Sequence, residues 1–299
     1  MFIIIVLTIT VQLVGYQLIY FMDPTLISPN PISLSWLFLP TGSIIFGMGT
    51  VFAGGCAGGV CYRVGQGNSK SLLALAGFAF GIGILAVGPL ATIFDQYDKS
   101  TSVQVNNSIP TLDMFIPRII ITLIAILIAV FYLWRYYNLK KQNNLKITTL
   151  LPFWTPIVSG GILGIIGILM KLDRNFSFST IDGIGNILQS LLSLQVFNWA
   201  GFYILGLIVG SSVSSILIKE FKINIPSKKD VIRFFGGGVA LGIGAMLAGG
   251  CNFGHILGGI PELGISSLLA LPLMILGNWI GSYIFYIRFN QVLPASTPM

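Results

Sequence analysis

Charge is what this chain lacks most. Only 8% of its 299 residues are Asp, Glu, Lys or Arg, and it has a single histidine, His255. A soluble domain carries about 25% charged residues, so a water-facing globular enzyme or binding module is excluded. With 55% hydrophobic residues and a mean hydropathy of +0.89, the chain reads as an all-α polytopic protein of the lipid bilayer. Its net charge of +7 is no nucleic-acid footprint. The basic residues sit between apolar runs and form no stripe, and in a membrane protein such residues report topology.

Further absences narrow the chemistry. Cysteine occurs three times, at Cys56, Cys61 and Cys251, and no CxxC is present, so neither a dithiol redox motif nor a zinc knuckle is signalled. No predicted span carries Asp or Glu near its centre, where the coupling carboxylates of pumps usually sit. The run GQGNSKS at residues 65–71 is no P-loop, because Ser69 and not glycine precedes Lys70. No cofactor motif appears.

What the chain does have is a duplicated glycine-cysteine segment. GMGTVFAGGCAGG (residues 47–59) and GIGAMLAGGCNFG (residues 242–254) align 195 residues apart. Gly47/Gly242, Gly49/Gly244, Ala53/Ala248, Gly54/Gly249, Gly55/Gly250 and Cys56/Cys251 are identical. An internal repeat that includes so rare a residue is not composition noise. Each copy predicts a helix that enters the membrane, breaks at Gly-Gly-Cys and turns back. Gly54, Gly55, Gly249 and Gly250 admit backbone conformations that a side chain would block. Paired broken helices in corresponding halves point to a transporter binding site.

Spanning helices are predicted near 2–20, 36–53, 71–92, 117–138, 152–170, 199–218, 231–248 and 266–288, each about the length a bilayer core requires. Residues 1–20 lack a basic n-region and a clear cleavage site, and read as a first span. A looser loop is predicted over 94–115, a basic loop over 138–148, and an interfacial stretch with apolar residues at roughly helical spacing over 182–198. With the amino terminus inside, the cytoplasmic segments hold 12 of the 16 Lys and Arg; Lys99, Arg118, Lys171 and Arg174 stay outside. The positive-inside rule then places both termini in the cytoplasm. Five crossings separate the two copies, so the halves, 1–138 with Cys56 and 152–299 with Cys251, are expected to be inverted within one transmembrane domain. Gly77/Gly81, Gly206/Gly210, Gly238/Gly242 and Gly277/Gly281 read as small-residue pairs for close helix packing.

The repeated thiols suggest a soft, shallow site. A thiol in apolar surroundings stays protonated. It is then a weak donor and soft acceptor, suited to a polarisable sulfur or selenium anion rather than a hard cation. Short helices predicted just after Cys56 and Cys251 would aim backbone N–H groups at the thiols. Cys61 is either a relay thiol or a packing residue. His255, four residues after Cys251, and Asn252 are candidates to line the path or cap a helix; a Cys/His metal site is the alternative for His255. Arg63 flanks the inner exit or anchors topology, as does Lys70. Glu262, after Pro261, reads as solvated near the outer surface.

GGCAGGVCYRVGQGN (residues 54–68) and AGGCNFGHILGGIPELGISSLLALP (residues 248–272) resemble the two signature segments of the YeeE/YedE family of inner-membrane sulfur-compound transporters. The resemblance implies thiosulfate uptake into the cytoplasm, some members being associated with selenium metabolism. It also implies an hourglass form made by inverted halves, and a narrow path in which Cys56 and Cys251 pass the anion by S–H contacts. A cytoplasmic sulfur carrier of the TusA type is the expected partner. Some thiosulfate-transporting members use a third cysteine close to the amino terminus; this sequence has none there and has Cys61 instead. The expected function is therefore inward transport of a small sulfur anion, thiosulfate first, through a path lined by Cys251, Cys56 and Cys61. The alternatives are a selenium compound, a membrane thiol enzyme (sulfur transferase or oxidoreductase) and a metal-ion permease.

Overall fold

The computed structural model describes residues 2–23, 32–86, 88, 90–103, 109–143, 155–174, 177–193, 196 and 198–288. Of the basic loop predicted over 138–148, residues 144–148 lie outside them, while 138–143 are not loop but continue the preceding helix. The helices in order are α1 (Phe2–Met22), α2 (Phe38–Ala53), α3 (Ala57–Gly65), α4 (Ser69–Ala86), α5 (Ala91–Thr101), α6 (Arg118–Asn143), α7 (Pro156–Arg174), α8 (Thr180–Ser193), α9 (Trp199–Leu217), α10 (Lys228–Leu247), α11 (Asn252–Gly254) and α12 (Ile265–Ser282). A π-helical turn, His255–Gly259, follows α11. Among the described residues eight helical segments are long and apolar enough to cross a membrane, α2 and α3 counting together as one, and they fall where the eight spans were predicted. The chain is a multi-pass membrane protein.

One local outcome differs from a reading of the sequence alone. The supposed loop over 94–115 opens with α5, whose Phe94 stacks on Phe38 of α2 at 5.6 Å between centroids. The chain before α2 joins it, since Ser35 and Thr101 are hydrogen-bonded at 2.6 Å. Contact with another element, and not hydropathy, gives this polar segment its helix. The helical spacing over 182–198 corresponds to α8, whose Ile181 and Ile184 belong to a buried core.

The helix breaks are made by glycine. Gly54 ends α2 with φ 76° and Gly249 follows α10 with φ 71°, a left-handed conformation that glycine adopts without a Cβ clash. The following amides close onto the helices just ended: Gly55 N–H donates to Thr50 at 2.9 Å, and Gly250 N–H to Ala245 at 3.0 Å. These donors and acceptors are offset by the same 195 residues as the repeat.

The chain forms two compact units. One comprises Ser33–Val103, Ser179–Phe253 and Leu268–Met299. Within it α10 packs against both α2 and α4, so closely that a Cβ on several glycines would overlap a neighbouring backbone. The contacts are reciprocal. Gly42 lies against Leu247 and Ala248, and Gly237 against Phe52 and Ala53; Gly47 lies against Met274 and Asn278, and Gly242 against Phe78 and Ile82. Register follows from these pairs: α2 runs antiparallel to α10, α4 parallel to α10, and α2 parallel to α12. At the starts of α4 and α10, Lys70 pairs with Asp230 at 2.9 Å, while Ser227 and Asp230 form a capping box.

The other unit comprises Met1–Ile32, Gln104–Phe178 and Gly254–Ser267. Here α1 packs on α6 and α7, with Gly160 of α7 against Ile4 and Leu7, Gly164 against Val11, and Gly167 against Gln12. The turn Ile260–Gly264 is pinned by a bridge between Thr111 and Gly264.

Of the glycine pairs read as close-packing, three behave so. Gly206 and Gly210 do not: nothing lies within 4 Å of where their Cβ atoms would stand. Gly242→Ala is therefore expected to lose about 1–3 kcal/mol of stability by overpacking, while Gly206→Ala holds or gains stability. Thermal midpoints of the two variants in detergent check this, and equal midpoints would refute backbone contact at Gly242.

Candidate functional site

The three cysteines gather in one unit, around the two breaks. Cys56 stands in extended conformation (φ −73°, ψ 166°) as the N-cap of α3, and its Sγ accepts the Gly59 N–H at 3.3 Å. A sulfur in the place usually taken by serine or aspartate thus receives one of the free amides of a helix start. Cys56 is partly exposed, whereas Cys61 and Cys251 are buried.

Cys251 donates its S–H to the Thr180 hydroxyl of α8 at 3.5 Å. Cys61 and Cys251 belong to the same core, with Ala57, Val60 and Ala248, and with Tyr203 and Phe253 packed beside them. Cys61 is within electrostatic reach of both Cys56 and Cys251, and Tyr203 within reach of Cys251 and Cys61. The start of α3 faces the segment after Cys251, since a Cβ on Gly58 would touch the Phe253 ring at 3.6 Å. Breaks far apart in sequence thus lie side by side, and Cys61 stands with the pair.

Arg63 is exposed, and its guanidinium donates to the Gly54 carbonyl. That bond ties the last turn of α3 back to the break, and Gly55 lies beside the same guanidinium. Arg63 therefore holds the break that Gly54 makes. Gly249 and Gly250 form the matching turn before Cys251. Asn252 begins α11, and its Oδ1 has no hydrogen-bond partner among the described residues.

His255 lies in the other unit, at the head of the π-helical turn. It is 0% exposed, and its Nδ1 is hydrogen-bonded with the Ser267 hydroxyl at 3.0 Å. No group of three or more His, Cys, Asp or Glu that could hold a metal occurs among the described residues.

Glu262 corrects an expectation. Instead of being solvated, it is 4% exposed. Lys171 of α7 donates to its Oε1 at 2.7 Å, and the Ser177 hydroxyl donates to the same oxygen. Lys171, read as an outer flanking charge, is 1% exposed. The turn after Pro261 folds inward against the end of α7, where a charge needs a partner to be tolerated. Nothing in the sequence links two residues so far apart, and Thr180 and Tyr203 beside the thiols carried no signal either.

A family model described as Sulphur transport matches residues 1–280. The chain belongs to the sulphur-transport family. Among its curated relatives, the thiosulfate transporter TsuA of Spirochaeta thermophila is 31% identical, over 95% of this chain and 87% of that protein. TsuA of Escherichia coli is 29% identical over 96% of this chain and 85% of its own length. The probable transporter YedE of Salmonella typhimurium is 27% identical over 47% of this chain and 40% of its own. This membership makes the chain a transporter of sulfur compounds and not an enzyme.

The ion pair gives a test of this family member's buried charges. Lys171→Met leaves the Glu262 carboxylate without its cation and is expected to cost about 3–5 kcal/mol, whereas Lys171→Met with Glu262→Leu recovers most of the loss. Thermal unfolding of the three proteins checks it; a single variant as stable as wild type would place the pair in water.

Proposed function

We propose that this transporter carries thiosulfate inward across the inner membrane through a path lined by Cys251, Cys61 and Cys56. The observation that carries the reading is the gathering of the three thiols at two glycine breaks, one of them partly exposed and two buried. Its support in the comparisons is that the TsuA relatives are thiosulfate transporters by name.

The chemistry fits a soft anion that must not be held tightly. S–H groups are weak donors and polarisable acceptors, and a conducting path needs binding weak enough to release. In the thiol-bearing unit Arg63 is hydrogen-bonded to the Gly54 carbonyl. Sulfate offers the S–H groups only hard oxygens, whereas thiosulfate presents a polarisable terminal sulfur.

In this reading the anion meets Cys251 first, passes by Cys61 and leaves at Cys56 beside Gly54, Gly55 and Arg63, with Gly249, Gly250, Asn252 and His255 shaping the outer part. The halves 1–138 and 152–299 form an inverted repeat with both termini in the cytoplasm. The reciprocal glycine contacts and the alternation of parallel and antiparallel neighbours support that arrangement, as does the distribution of Lys and Arg. A TusA-like carrier protein receives the product in the cytoplasm.

Uptake of labelled thiosulfate into proteoliposomes tests the reading. Cys251→Ala and Cys56→Ala are expected to abolish uptake with the protein still inserted. Cys56→Ser keeps the helix cap and loses the soft ligand, so its insertion and stability should match wild type while uptake falls at least about tenfold, the equivalent of 1.4 kcal/mol. Unlabelled sulfate should not compete. Full uptake by the cysteine variants would overturn the thiol path; selenite competing where thiosulfate does not would move the substrate to selenium.

A further inference from the structure

The unit built on α1, α6 and α7 contains a buried polar side chain that neither the packing nor the thiol path uses. Gln12, near the middle of α1, is 0% exposed. Among the described residues neither its amide oxygen nor its amide nitrogen has a hydrogen-bond partner. A buried polar group left unmet costs about 1–3 kcal/mol. In a membrane span, where leucine would serve packing at no such cost, an intramembrane polar residue calls for a functional explanation.

The surroundings make room for the amide. Gly167 of α7 lies opposite, and a side chain there would overlap the Gln12 Nε2. Phe178 borders the same spot with its ring edge, while its carbonyl lies against Gly258 of the π-helical turn that begins at His255. α1 packs directly on that turn. One turn along α1, Tyr16 is also buried and lies within electrostatic reach of Glu262. The nearby charges, Lys171 and Glu262, cancel each other, so what this unit offers is neutral and polar: an amide with two N–H donors and an acceptor.

We propose that Gln12 forms a second station for the transported oxyanion, its N–H groups donating to the anion's oxygens as it passes the turn that begins at His255. This rests on the thiosulfate reading and deepens it. Thiols suit the terminal sulfur of the substrate, and a neutral amide suits its oxygens with the same modest strength. Lys171, already neutralised, cannot hold a dianion so strongly that it fails to leave. Thr8, one turn before, is no such station, because its hydroxyl donates to the Ile4 and Gly160 carbonyls.

The test uses the whole protein in proteoliposomes, with labelled thiosulfate uptake and thermal midpoint measured together. Gln12→Met removes the amide at similar size. If the amide serves the anion, the midpoint stays or rises, because an unmet polar group is gone, while KM rises at least about tenfold. Gln12→Glu puts a carboxylate before an anion and should abolish uptake at normal insertion; Gln12→Asn, keeping a shorter amide, should fall between wild type and Gln12→Met. An unchanged KM in Gln12→Met overturns the proposal, and so does a lowered midpoint or failed insertion, since either gives the amide a structural partner. If wild type itself takes up no thiosulfate, the substrate reading falls and this station with it; if wild type transports and Gln12→Met matches it, only the station falls.

Discussion

Close backbone contact between α10 and its neighbours α2 and α4 is the constraint on which the thiol-bearing unit depends. Lipid gives helices no hydrophobic reason to associate, so packing at short range must hold them. Gly42, Gly47, Gly237 and Gly242 supply it by leaving no Cβ between one backbone and the next. The same closeness carries the two breaks, because α2 and α10 end where Gly54 and Gly249 turn. Irregular backbone at such depth is tolerated only where its polar groups are met within the protein. Thr50 and Ala245 accept the freed amides of Gly55 and Gly250, and Cys56 accepts that of Gly59.

From that scaffold the chemistry follows. The Cys56 sulfur caps a helix as a structural acceptor and still stays partly exposed. The positive end of α3 therefore lies at Cys56 without any side-chain cation. Three cationic side chains do other tasks. Arg63 closes the Gly54 break, Arg233 lies over the Phe285 ring at 3.9 Å, and Lys171 neutralises Glu262. The proposed anion path, built from neutral donors, fits a protein whose low charge content was the first feature of its sequence.

Membrane class, eight spans and the duplicated break were legible in the sequence because each rests on local pattern. A run of about twenty apolar residues has few alternatives in lipid, and a repeated Gly-Gly-Cys marks itself. The family was legible for the same reason, in residues 54–68 and 248–272. Tertiary structure alone decided which groups meet. It placed Cys61 with Cys251, set Thr180 and Tyr203 beside the thiols, buried Glu262 against Lys171, and left Gln12 enclosed opposite Gly167. It also separated glycines that look alike, since Gly242 touches a backbone and Gly206 touches nothing. Hydropathy and spacing record what one segment prefers in lipid. Which polar atom finds a partner depends on distances between segments far apart in the chain, and no local pattern encodes those.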